Sequence, residues 1–148
     1  MKLKYCIGLL VILSLSGCIG ENYDFSPPSV ELSSDSNFEP LELEEANIDW
    51  RGENNNQIEN ETEDILSLSK NLQSIYGFRG EEVDLLFGHH DFDLRELSVV
   101  AWKNEQKFEL EASDSSFYLP SEKGDYILEV NLKTDRGTAQ YVGNVNVQ

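Results

Sequence analysis

The stretch YILEVNLKTDRGTAQYVGNVNV, residues 126–147, decides the fold class. Tyr126, Leu128, Val130 and Leu132 alternate with Ile127, Glu129, Asn131 and Lys133. Ala139, Tyr141, Gly143, Val145 and Val147 alternate with mostly polar partners. A period of two is the signature of a strand with one apolar and one wet face. Between the two runs, Thr134-Asp135-Arg136-Gly137 supplies a turn, with Gly137 able to take positive φ. The segment reads as a long antiparallel hairpin, and its final strand, 138–147, as a candidate sheet edge.

Working back along the chain, strand signals recur. Residues 72–76 form a first candidate, followed by a turn at 77–80. Val83, Leu85 and Phe87 alternate with Asp84 and Leu86, 97–102 is the most hydrophobic run outside the N-terminus, and Phe108 with Leu110 and Phe117 with Leu119 continue the series. Pro120 stops the last of these. Seven short strands at intervals of about 10 residues predict an all-β, two-sheet sandwich. One short helix precedes them: Ile65, Leu68 and Leu72 keep helical spacing over 62–70, with Asn60 as the cap and Glu63 three residues on. Leu41, Leu43, Ile48 and Trp50 place the start of folding in 41–50, and the polar patch 52–63 reads as a loop.

LSVVAWKN at 97–104 and EKGDYILEV at 122–130 resemble the third and sixth strands of immunoglobulin-like domains. The resemblance implies that Trp102 is the buried tryptophan of strand C and Tyr126 the tyrosine at the corner entering strand F. Where an antibody domain has its cysteine pair, this chain has Leu128 and, as its apolar counterpart, Leu85. Packing then replaces the disulfide. The same residues also fit another small β-sandwich or barrel.

The N-terminus is built differently. Lys2 and Lys4 form a positive n-region, 7–15 is almost wholly apolar, and Ser16 and Gly17 are small. Such a run is too short for a permanent span, which needs roughly 20 residues, and reads as an export signal over 1–17. Leu15-Ser16-Gly17-Cys18 resembles the bacterial lipobox, which implies cleavage before Cys18 and attachment of fatty acyl chains to its thiol. Two or three chains at about 0.8 kcal/mol per buried CH₂ make a stable anchor. Cys6 leaves with the leader, so the mature chain has one cysteine, lipidated, and no disulfide. The expected location is the outer side of a bacterial cell membrane, with the lipid anchor at Cys18 as the membrane contact.

Charge organises the rest. The chain carries a formal net charge of −17, and losing Lys2 and Lys4 makes the mature protein more acidic still. Such a surface repels nucleic acid, which is excluded as a partner. Residues 21–64 hold 14 acidic residues against one basic residue, Arg51. With Pro27, Pro28 and Pro40 in the same region, residues 18–40 read as the lipidated cysteine and a flexible, disordered acidic tether, and 41–148 as the β-sandwich domain. The order of lipobox, PPSVEL at 27–32, Trp-Gly turn at 50–52, short helix, VAWKN, FYLPSEKGDYILEV and final hairpin resembles a group of small lipoproteins of Bacillus and its relatives. Members of that group often have a cysteine pair around the Trp-Gly turn, and here Asp49 precedes Trp50 with no such pair. The resemblance implies location and fold and brings no activity with it.

Candidate chemistry is sparse. GHHDFD at 88–93 gathers His89, His90, Asp91 and Asp93. On an extended chain His89, Asp91 and Asp93 share one side, so these three are the weak metal-ligand candidates. A solvated loop is the plainer reading of the same residues. No nucleophile motif and no cofactor motif is present, so no catalytic residue and no cofactor are expected. Trp50 beside Arg51 is a candidate interface anchor, although a tryptophan there more often closes one end of a core. The expected function is a membrane-anchored, non-enzymatic binding or interaction module with an envelope protein as its partner. A metal-binding domain using the His89–Asp93 loop and a structural surface spacer are the alternatives.

Overall fold

The computed structural model describes residues 23–36 and 39–148. The leader and Cys18 therefore lie outside the described residues. The described chain is an all-β sandwich with little helix. Its strands are β1 (Val30–Ser33), β2 (Leu41–Glu42), β3 (Glu44–Arg51), β4 (Gln57–Asn60), β5 (Ser74–Gly77), β6 (Glu82–Phe87), β7 (Leu94–Lys103), β8 (Gln106–Leu110), β9 (Ala112–Ser113), β10 (Ser116–Tyr118), β11 (Gly124–Thr134) and β12 (Gly137–Val147). One sheet has the order β2-β1-β6-β10-β9, and the other β4-β3-β12-β11-β7-β8 with β5 also on β12.

The 126–147 hairpin forms as its alternation predicts, in register from Gly124 opposite Val147 to Lys133 opposite Thr138. Its turn is held by the Thr134 hydroxyl, which accepts from the amides of Arg136 and Gly137 at 3.1 and 3.2 Å. Gly137 has φ +141°, and a Cβ there would run into the Asp49 carbonyl of the neighbouring β3. Glycine thus serves both the backbone angle and the close approach. Tyr126, Leu128, Val130, Leu132, Ala139, Tyr141, Val145 and Val147 all turn inward. They meet Val30, Leu32, Val83, Leu85 and Phe117 from the smaller sheet in one core.

The last strand is not an edge. β12 pairs antiparallel with β11 on one side. On its other side lie β3, antiparallel against Gly137–Val142, and then β5, parallel against Asn144–Val147. At the junction the Asn144 amide donates to the carbonyls of Ser69 and Leu72 at 2.7 and 3.1 Å. It thereby satisfies the open C-terminal end of helix α1 (Ile65–Ser69). Asp64 caps the other end of α1, accepting from the Leu66 amide at 3.0 Å, so the helix starts later than Asn60. Asn60 belongs to β4, which with a short 3₁₀ turn at Glu53–Asn55 replaces the expected loop.

Three further expectations are corrected. The strand count exceeds seven because β1 to β4 precede the strands expected from residue 72 onward and the two-residue β9 falls among them. Trp102 lies on the outer face of the larger sheet, where its Nε1–H donates to Glu129 at 2.8 Å. Ala101 and Val99 take the inward positions beside it, and Trp50 is the large indole of the core. Tyr126 does sit as the corner tyrosine would: buried, with its hydroxyl donating to the Glu122 carbonyl at 2.8 Å. Finally, the folded unit begins well before residue 41. Val30 and Leu32 are fully buried and β1 pairs with β6 along its whole length. The 18–40 tether is therefore too long as read; two buried aliphatics in a four-residue strand outweigh the acidic, proline-rich setting.

Between Ala139 and Tyr141 the register with β3 shifts, a bulge that sets Glu45 opposite Tyr141. Burial, then the neighbouring Glu44 and Glu42, raises the Glu45 carboxyl above its ordinary range. The folded protein thus takes up this proton at higher pH than the unfolded chain, and gains stability as pH falls through the folded value. Glu45→Gln is expected to stabilise at pH 7 by roughly 0.3 kcal/mol, a small figure because solvent screens the site. Urea unfolding should show that gap closing at acid pH, where Glu45 itself is neutral.

Candidate functional site

The structure separates the residues that the sequence grouped. Trp50 is 0 % exposed. Its ring meets Phe92 edge-on at 5.8 Å, and Phe92 in turn meets Phe87 edge-on at 5.8 Å and stacks on His90 at 6.5 Å. The 88–93 segment is thus a plug over one end of the core, with Phe92 as its apolar foot. Trp50 is a core residue and presents no interface. Arg51, next along, is exposed and donates to the Asp135 carbonyl.

Two of the three metal candidates, His89 and Asp91, spend their side chains on a different task, and Asp93 is held through its backbone. His89 Nδ1 accepts from the Asp91 amide at 3.2 Å, which places the ring proton on Nε2, and Nε2 donates to the Ser26 carbonyl at 3.0 Å. Asp91 Oδ2 accepts from the Asp24 amide at 2.7 Å. The Asp93 amide donates to Asp135 at 2.7 Å. Among the described residues no group of three or more His, Cys, Asp or Glu is placed to hold a metal ion. The spacing that suggests a ligand set serves a clasp on the incoming chain.

A polar network that sequence reasoning missed runs across the outer face of the larger sheet. Glu129 is buried there, and among the described residues it has no salt-bridge partner. One carboxylate oxygen accepts from Trp102 Nε1 at 2.8 Å, the other from Asn131 at 3.0 Å and Gln140 at 2.8 Å. Gln140 also donates to Asn131 at 3.1 Å and accepts from Asn47, whose own oxygen accepts from the Thr62 amide at 2.8 Å. A shallow cleft of about 330 Å³ opens over Asn47, Ser98, Asn131 and Gln140. The signal in the sequence was the choice of amides, Asn131, Gln140 and Asn144, for a face that ordinary solvation would furnish with Lys and Glu.

Exposed apolar side chains are spread over the surface, Tyr23 beside the clasp among them, and three further aromatics lie at the opposite end. The hairpin turn, the 88–93 plug and the start of β1 lie at one end of the sandwich. At the other end are the starts of β6 and β11 and the ends of β5 and β12. Tyr76 (63 % exposed), Phe78 (58 %) and Tyr118 (50 %) belong to that second end. The turn 77–82 is fastened to the 118–120 segment by Leu119 N–H to the Glu81 carbonyl at 2.9 Å, and Tyr118 sits opposite Glu82. A groove of about 540 Å³ beside Tyr76 and Phe78 reaches Pro40, Leu41, Gln73 and Ile75. Aromatic groups with a polar tip or edge are the residues that interfaces favour.

No family model matches the chain, and no curated protein is similar to it. Among the described residues no helix is long and apolar enough to cross a membrane.

Proposed function

We propose that this chain is a lipid-anchored extracytoplasmic module of the bacterial envelope, of immunoglobulin-like type and without catalysis of its own. It docks a partner protein through the end of the sandwich bearing Tyr76, Phe78 and Tyr118. The observation that carries this reading is the exposure of these three aromatics at one end, where burial on a partner would remove a large apolar area from water. The leader and Leu15-Ser16-Gly17-Cys18 support the anchor. The buried corner tyrosine, Tyr126, supports the architecture.

Crosslinking in intact cells tests it. The full-length chain should recover a specific partner, Cys18→Ser should lose it through mislocalisation, and the triple variant Tyr76→Ser, Phe78→Ser, Tyr118→Ser should recover at least about tenfold less, as loss of interface anchors does. Undiminished recovery by the triple variant would overturn the assignment of this end.

A further inference from the structure

The chain entering the domain is strapped down from Asp24 onward. Asp24 is fixed to Asp91 and Ser26 to His89 by the bonds described above. The Arg136 guanidinium lies 5.1 Å from the centre of the Phe25 ring, and its Nε donates to the Asp91 carbonyl at 3.1 Å. The fully buried Tyr141 donates its hydroxyl to the Pro28 carbonyl at 2.6 Å. Gly88 N–H donates to the Ser29 carbonyl at 3.0 Å. At Val30 the strand β1 begins. Contacts from the plug, the hairpin turn and the core all hold this segment, so it belongs to the domain.

We propose that this strap determines which end of the sandwich faces the membrane. The inference rests on the Cys18 anchor. From Cys18 to Tyr23 there are five residues, and whatever conformation they take they reach at most roughly 18 Å, at about 3.6 Å per residue. The end carrying the 88–93 plug, Arg51 and Arg136 is therefore held beside the bilayer. The eleven-residue strands β11 and β12 span about 36 Å at roughly 3.3 Å per residue. This lifts Tyr76, Phe78 and Tyr118 to the far end. A tether running to residue 40 would allow either end to approach the membrane; the strap removes that freedom and directs the aromatic end outward.

The test uses full-length lipidated protein in phosphatidylcholine vesicles that carry an energy acceptor on the lipid headgroup. Single cysteines for dye labelling replace Glu53, exposed two residues beyond Arg51, or Arg79, exposed in the 77–82 turn. The expected result is strong transfer from position 53 and weak transfer from position 79, as for dyes whose distances from the bilayer differ about threefold given those reaches. Inserting twenty Gly/Ser residues between Asn22 and Tyr23 should bring the two signals together. Equal transfer from both positions in floating, uninserted protein overturns the strap while leaving the anchor standing. Protein that does not float with the vesicles overturns the anchor reading, and the orientation with it.

Discussion

Trp50→Ala is expected to destabilise the domain by about 3–5 kcal/mol, the range for emptying a large buried aromatic site. Trp50 is fully buried and lies under the Phe92 foot of the plug. Its loss removes apolar contact from the core and support from the segment that clasps Asp24 and Ser26. Thermal or urea unfolding should show the full loss. Among the described residues the indole Nε1 has no hydrogen-bond partner in its buried position, and such a group costs about 1–3 kcal/mol. Trp50→Phe therefore gives back part of what it loses in volume, and its penalty should be well under half that of the alanine variant. If Trp50 were an interface anchor, Trp50→Ala would leave the unfolding midpoint unchanged.

Glu129→Ala is expected to cost about 2–4 kcal/mol, because three donors lose a charged acceptor at once and hydrogen bonds to charged groups contribute about 1.5–3 kcal/mol each before water takes their place. Trp102, Asn131 and Gln140 all converge on this carboxylate. Glu129→Gln is not a full rescue. Whichever way its amide is turned, its NH₂ group meets at least one donor, so roughly half the penalty should remain. Since the network spans β3, β11, β12 and β7, hydrogen exchange should accelerate across all four strands. Faster exchange confined to β11 would mean that the network is a set of separate pairs.

Much of the fold was legible, and the limits are physical. The 126–147 hairpin was clear because eleven-residue strands repeat a period of two many times over. β1 was hidden because four residues repeat it only twice, Val30 and Leu32 against Glu31 and Ser33, behind two prolines and amid acid. In 99–102 the apolar residues are continuous, so nothing in that run says whether Val99 and Ala101 or Val100 and Trp102 face the core. Parity came only from pairing with Leu128 and Val130. The candidate site was less legible still. GHHDFD has the right donors for an ion, yet sequence spacing cannot reveal that Ser26 engages His89 and Asp24 engages Asp91. The exposed end could not be foreseen either, since Tyr76 and Tyr118 look in sequence like any other strand aromatics and Phe78 like an isolated turn residue.

The placement of β12 bears on how the molecule comes into being. It is the last element described and the one on which β3, β5 and β11 all depend for their ladders. Until residues 137–147 are present, β3 and β5 have no neighbour on that side, and the larger sheet cannot close over the smaller one. Non-local pairing of this kind makes for slow, all-or-none acquisition of structure, on the order of milliseconds to seconds. A nascent chain would stay loose and threadable until residues 137–147 arrived. Under the export proposed above, a keystone that follows all of its partner strands in the chain would delay collapse until residues 137–147 had been threaded.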